Sequence, residues 1–146
     1  MIGRPSPILS RGVAVAASPI LIFSLYLLFA GHNQPGGGFA GGLVAGVLIA
    51  MIAASGGVEA VRRFVPVRST VLMGLGITVA AATGFASLLG GSGFLESGYV
   101  ELDLPLLGTL KIVSALVFDL GVYLVVVGIS LSLVRALGSP LQEREP

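Results

Sequence analysis

Apolar residues dominate four stretches of the chain, each long enough to cross a lipid bilayer. Their approximate bounds are residues 12–30, 39–57, 70–89 and 109–133. A helix needs about 20 predominantly apolar residues to span the hydrocarbon core. Helices are favoured over strands because a helix satisfies its own backbone hydrogen bonds in lipid, whereas four strands could not close a barrel. The pattern predicts an all-α membrane protein with four transmembrane helices.

Polar and flexible residues separate these stretches. The segment from Gly31 to Gly42 is rich in glycine and contains the chain's one histidine, His32. Glycine permits sharp bends and close backbone approach, and proline fixes its own φ. We therefore expect a structural turn formed by Pro35, Gly36, Gly37 and Gly38. A longer connection, residues 90–108, joins the third and fourth stretches and carries acidic residues.

The arginines predict how the chain is oriented in the membrane. They lie before the first stretch, between the second and third, and after the fourth: Arg4, Arg11, Arg62, Arg63, Arg68, Arg135 and Arg144. Loops rich in arginine and lysine stay on the cytoplasmic side. Both termini are therefore predicted to be cytoplasmic, and the glycine-rich turn is predicted to lie on the outer side.

The composition agrees with a membrane protein and excludes several other classes. Charged residues make up 10% of the chain, against roughly 25% in soluble domains. The net charge of +1 lacks the basic footprint of a nucleic-acid-binding protein. Without cysteine, and with one histidine, no zinc pattern exists. We expect no metal, no cofactor and a single domain over residues 1–146.

Small residues recur at helical spacing in the second and fourth predicted helices. Gly38, Gly42 and Gly46 share one face of the second, and Gly121 and Gly128 share one face of the fourth. Such faces let another helix backbone come close. The third helix has a looser stripe that includes Gly74. The pattern leaves open whether these faces pack within the four helices or on other subunits.

Asp119 is the strongest candidate for chemistry because it lies within the fourth apolar stretch. A carboxylate in a membrane is costly and needs protein or water around it. Tyr123, four residues later, is within reach of a hydrogen bond to it on one helix face. Lys111 lies nearer the outer end, where its ammonium is expected to reach the interface. Asp119 is either a satisfied carboxyl that holds helices together or a member of an ion or proton path.

His32 also has two interpretations. It is either an interfacial residue that hydrogen-bonds the turn, or a proton relay, since the ordinary pKa of histidine lies near neutrality.

The segment Gly36–Gly41 matches G-x-G-x-x-G, but a membrane helix and not a strand precedes it, so a dinucleotide site is rejected. No serine has a plausible general base beside it apart from His32, which argues against an enzyme that uses a serine nucleophile. Glu59 precedes Arg62 and Arg63 by three and four residues, so a local surface ion pair is expected there.

Two segments resemble the B subunit (MnhB/MrpB family) of the multisubunit Mrp-type Na⁺/H⁺ antiporter. They are Gly31–Phe39 and Phe118–Gly128. The resemblance covers most of the chain, from the first helix to the end of the fourth. The residues between the two segments, and especially residues 90–108, match no family pattern. It implies an accessory subunit of a bacterial cell-membrane complex that exchanges Na⁺ and H⁺. Its partners would be the other antiporter subunits and the lipid bilayer.

The resemblance implies a role in assembly and a candidate role in lining an ion path. Asp119 is then the first candidate on that path and His32 the second, with Tyr123 and Lys111 after them. Similar domains occur fused to the large A subunit of these antiporters and in membrane-bound hydrogenase complexes. The alternatives are therefore the equivalent subunit of a hydrogenase-type complex, or a purely structural scaffold subunit.

Overall fold

Four long helices and one β-hairpin form the described part of the chain in this computed structural model. In chain order they are α1 (Pro7–Ala30), α2 (Gly38–Phe64), α3 (Ser69–Leu89), β1 (Tyr99–Leu104), β2 (Gly108–Val113) and α4 (Ser114–Gly138). The structure describes residues 6–31, 35–89, 99–104 and 108–138, with side chains for 6–31, 35–86 and 115–138. All four helices are long and apolar enough to cross a membrane, which confirms the predicted transmembrane helices.

The prediction that the fourth helix begins at residue 109 is wrong. Residues Gly108–Val113 form β2, which pairs antiparallel with β1, and α4 begins at Ser114. Residues 109–113 are mostly apolar and include the β-branched Thr109, Ile112 and Val113. Hydropathy alone does not distinguish a helix from a strand in so short an apolar run. The β-branched side chains favour the strand.

Helix α2 contains a break at Gly57, where the second transmembrane helix was expected to end. Gly57 has φ 72° and ψ −175°, so the helix is interrupted there and resumes up to Phe64. This backbone conformation is available essentially to glycine alone. In the resumed turn the Arg63 Nε atom lies 3.5 Å from the Glu59 Oε1 atom, and both side chains are largely exposed. This confirms the local surface ion pair expected for Glu59.

The helices pack in the order α1, α2, α4, α3 across the bundle. Helix α2 packs on α1 and α4, while α3 packs on α4. Gly38 approaches Asp119 and Gly46 approaches Ser130, so α2 and α4 run parallel to each other. Because α1 and α3 run the other way, the bundle has two chemically different ends. We call them the glycine end, formed by residues 27–31, 36–42 and 119–123, and the arginine end, which carries Arg11, Arg62, Arg63, Arg68 and Arg135.

Small residues allow the central helices to come together. A Cβ atom on Gly42 would lie 2.8 Å from the Val126 Cβ atom of α4. On the other side of α4, a Cβ atom on Gly121 would lie 2.7 Å from the Gly76 carbonyl oxygen of α3, and one on Gly128 would lie 2.7 Å from the Met73 Cγ atom. Larger residues at these positions would push the backbones apart. Gly74, in the looser stripe of α3, has open space around it.

The buried core is concentrated on α2, the most buried of the four helices. Its larger cluster lies towards the arginine end and consists of Val13, Leu48, Ile49, Ile52, Val61 and Leu131. A smaller cluster of Leu28, Ala45 and Tyr123 lies towards the glycine end. By contrast, α1 and α3 expose large apolar side chains such as Phe23, Ile77 and Phe85. Exposed apolar surface of this kind fits lipid or neighbouring subunits.

Candidate functional site

The turn between α1 and α2 closes back onto α1 through its backbone. The Gly37 N–H donates a hydrogen bond of 2.8 Å to the Leu27 carbonyl oxygen. Gly37 has φ 107°, a conformation that favours glycine. A Cβ atom on Gly36 would lie 2.6 Å from the Leu27 carbonyl oxygen, and one on Gly31 would collide with the Gly37 backbone. The glycines of this turn are therefore required by its shape. Pro35, just before them, is exposed.

Asp119 lies directly against this turn. A Cβ atom on Gly38 would collide with the Asp119 carbonyl oxygen, and one on Gly37 would lie 3.4 Å from the Asp119 Oδ2 atom. The Asp119 side chain is half-buried. Gly37 and Gly38, at the start of α2, have no side chains, and this allows α4 to approach closely at Asp119.

The position of Asp119 supplies a negative charge that α2 itself lacks. Gly37 is the N-cap of α2, it forms no side-chain cap hydrogen bond, and the first turn contains no acidic residue. Helix N-termini carry a partial positive charge and favour a nearby anion. The carboxylate of Asp119, on a different helix, lies beside that terminus. The arrangement couples the start of α2 electrostatically to α4.

A chain of hydrogen bonds joins three helices slightly deeper in the bundle. The fully buried Ser24 hydroxyl lies 2.8 Å from the Gly41 carbonyl oxygen and 2.9 Å from the Tyr123 hydroxyl. Because a carbonyl only accepts, the single Ser24 proton goes to Gly41, and the Tyr123 hydroxyl must donate to Ser24. The chain therefore runs from α4 through α1 to α2 and ends at a backbone carbonyl. We call these three groups the serine clasp.

The hydrogen bond expected between Tyr123 and Asp119 does not form among the described residues. The Tyr123 hydroxyl binds Ser24 instead. The buried Tyr123 hydroxyl needs an acceptor, because an unpaired polar group at this position would be costly, and the Ser24 oxygen on α1 supplies one. Ser24 was missed as a site residue, although a polar side chain within an apolar span was a usable signal.

Two sequence candidates remain, Lys111 and His32. Lys111 lies in β2, opposite Glu101 in the strand register, rather than within α4. His32 lies outside the described residues. Within the segments that the structure describes, histidine and acidic side chains form no group of three that could hold a metal ion. The site consists of Asp119 and the turn glycines, with Tyr123 and Ser24 one helical turn deeper.

Chemically, this site suits reversible ion or proton binding better than bond-making. A carboxylate can accept a proton or contact a cation, and it is half-buried rather than sealed. No hydrogen bond to the Asp119 side chain occurs within the described residues, so its oxygens are not committed to a partner there. A half-exposed carboxylate at membrane depth needs water or another protein chain over its open side.

Comparison with known proteins identifies relatives along nearly the whole chain. A family model described as a domain related to the MnhB subunit of Na⁺/H⁺ antiporter matches residues 8–132. The B subunit of a Na⁺/H⁺ antiporter from Bacillus subtilis is 39% identical over 131 residues, covering 90% of this chain and 92% of the relative. The protein of the same name from Alkalihalophilus pseudofirmus is 40% identical over 118 residues, covering 81% of this chain and 82% of the relative.

A solved structure also matches. It is described as the structure of the Mrp complex from Dietzia sp. DQ12-45-1b, with a TM-score of 0.79 and 31% sequence identity. The match covers 95% of this chain but 15% of the matched chain. The four-helix arrangement therefore occurs there as a small part of a much longer polypeptide.

Proposed function

This chain belongs to the family of domains related to the MnhB subunit of Na⁺/H⁺ antiporters, and from that membership we propose that it is the B subunit of a bacterial Mrp-type cation/proton antiporter. The observation that carries this proposal is the family match over residues 8–132, which includes all or most of each transmembrane helix. The protein acts in the cell membrane, with the other antiporter subunits as its partners. Na⁺ and H⁺ are the ions that the assembled complex exchanges.

The first task of this chain in the proposal is assembly, and it makes or breaks no chemical bond. Its exposed apolar faces on α1 and α3 are suited to contact with lipid and with larger subunits. Both termini face the cytoplasm, which is supported by the five arginines at one end of the described bundle and the rule that such residues stay inside. The glycine end then faces outward.

Asp119 is the residue through which this protein takes part in ion exchange. Its half-buried carboxylate has no hydrogen-bond partner among the described residues, and the α2 N-terminus beside it favours a negative charge. The serine clasp does not extend this route, because its hydrogen bonds end at the Gly41 carbonyl. Tyr123 therefore positions α4, while Asp119 contacts the ion or proton.

Deleting the gene for this chain from its native host tests the assignment. Inverted membrane vesicles from the deletion strain should lose the pH change that follows Na⁺ addition, and a plasmid copy should restore it. Native purification of the tagged chain should co-elute the large antiporter subunits. Unchanged exchange after deletion, or co-elution with hydrogenase subunits instead, would overturn the proposal.

A further inference from the structure

A groove opens between α1 and α2 at the arginine end of the bundle. Its volume is about 550 Å³, and it is a shallow groove, largely open to the surface of the bundle. The residues that shape it include Ser10, Ala14 and Ala17 of α1, and Ile52, Arg63 and Phe64 of α2. It lies at the opposite end of the molecule from Asp119 and is independent of the proposed transport role.

The sequence explains why the helices leave this space. Ala14 and Ala17 are small, so α1 has little side-chain volume to fill the gap. The break at Gly57 redirects the last part of α2, and Phe64, in that part, forms one wall. Six of the ten lining residues are apolar, and the polar ones are Ser10, Ser18, Ser55 and Arg63. The groove therefore combines an apolar channel with one cationic group.

The charges around this end are strongly one-sided. Arg11, Arg62, Arg63 and Arg68 are exposed there, and Glu59 is the single acidic residue among the described residues of this end. Arg63 contacts Glu59 through one nitrogen at 3.5 Å. A guanidinium has five N–H donors, so Arg63 can bind a second acidic group at the same time. An anion at the mouth of the groove would meet a net positive field.

We propose that this groove binds an anionic phospholipid of the bilayer, with an acyl chain along the α1–α2 channel and the phosphate at Arg63. Basic pockets between transmembrane helices are suited to anionic head groups. The volume falls within the range of about 300–1,000 Å³ typical of small-molecule sites.

Photolabelling in defined bilayers tests this assignment. The full-length chain, with the subunits that co-purify with it, is reconstituted into phosphatidylcholine bilayers containing a trace of photoreactive phosphatidylglycerol or photoreactive phosphatidylcholine. Labelled peptides are then mapped by mass spectrometry. We expect phosphatidylglycerol to label residues 10–18 and 52–64 about fivefold more than phosphatidylcholine does, the factor expected for one basic residue near an anionic group.

Two variants separate the head-group site from the acyl-chain site. Arg63→Gln should remove the preference for phosphatidylglycerol, whereas the matched control Arg68→Gln, outside the groove, should keep it. Ala14→Phe should reduce labelling by both lipids because the new ring fills the channel. Val15→Phe, on an adjacent residue that is 78% exposed and outside the groove, is its control.

Three results would overturn the proposal. The first is equal labelling of the groove by the two lipids in the unmodified protein. The second is an undiminished preference in Arg63→Gln. The third is capture of another subunit, in place of lipid, by a photoreactive side chain introduced at Ala14 in the assembled complex, because a protein segment would then occupy the groove.

Discussion

Helices α1 and α2 meet in opposite ways at the two ends of the bundle. At the glycine end their backbones touch, since a Cβ atom on Gly41 would lie 2.6 Å from the Ser24 carbonyl oxygen. At the arginine end they leave a groove of about 550 Å³. The same pair of helices therefore forms a closed end, which seats Asp119, and an open end, which can admit a ligand.

The two ends are also stabilised differently. The glycine end depends on residues that have no side chain and on the buried serine clasp. The arginine end depends on apolar burial around Leu131 and on a side chain, because the Arg135 Nη2 atom donates a 2.9 Å hydrogen bond to the Val65 carbonyl oxygen. Substitutions that add volume should therefore be most harmful at the glycine end.

The largest expected effect is that of Gly38→Ala. The new Cβ atom collides with the Asp119 backbone, which cannot move aside as a flexible side chain would. We expect a loss of about 3 kcal/mol or more in stability, at the upper end of overpacking costs, and a low yield of assembled complex by size-exclusion chromatography. Gly12→Ala, where the Cβ atom meets nothing within 4 Å, is the control at the arginine end. Equal yields for both variants would contradict the account.

Gly57→Ala tests the opposite end, where space is not limiting. The added Cβ atom meets no neighbour within 4 Å, but φ is +72°. The variant should therefore lose about 1–3 kcal/mol of folding stability through backbone strain alone. This loss is measured as a lower midpoint of thermal unfolding in detergent. Replacing Gly57 by D-alanine through chemical ligation should restore the midpoint, since the mirror-image residue accepts positive φ. No recovery would show that packing, and not backbone conformation, is responsible.

Tyr123→Phe should have a smaller effect at the glycine end. It removes the donor to Ser24 and keeps the ring, so the expected cost is about 1 kcal/mol. A double-mutant cycle with Ser24→Ala measures the coupling by thermal unfolding. The pair should be clearly non-additive, because both single changes remove the same hydrogen bond between Tyr123 and Ser24. Additive effects would mean that the hydrogen bond between Tyr123 and Ser24 contributes nothing to stability. The exchange activity of assembled Tyr123→Phe complexes should remain normal.

Glu59→Gln should have the smallest effect. It removes an ion pair with Arg63 in which the side chains are 81% and 65% exposed, and such pairs contribute about 0–1 kcal/mol. The midpoint of thermal unfolding should be nearly unchanged, and the affinity of the groove for anionic lipid should not fall. A large destabilisation would show that the arginine end depends on this pair.

Much of this architecture follows from residue patterns. The hydropathy predicts the four helices, and the glycine spacing indicates which faces of α2 and α4 can approach another backbone. The hairpin was not predicted, because the apolar run at 109–113 merges with α4 in any hydropathy window. The β-branched residues of this run favour a strand, but its pairing partner, residues 99–104, is what identifies it.

The composition of the site was harder to predict than its location. Asp119 and the turn glycines are conspicuous in the sequence, yet their contact joins residues about eighty positions apart. The partner of Tyr123 is Ser24, on a helix that sequence spacing cannot relate to it. Periodicity identifies neighbours within one helix, whereas contacts between helices depend on three-dimensional packing.

We propose that Asp119, seated at the glycine end, takes part in ion exchange and is not only structural. The most direct test is Na⁺-dependent exchange by purified, reconstituted complexes that carry Asp119→Asn, after equal subunit content has been verified. Asparagine is nearly the same size and fits the same seat against Gly37 and Gly38. We predict that the complex assembles normally and that its exchange falls at least about tenfold, as expected when an essential protonatable group is lost. Full exchange by the assembled variant would contradict the claim and leave this protein with a scaffold role alone.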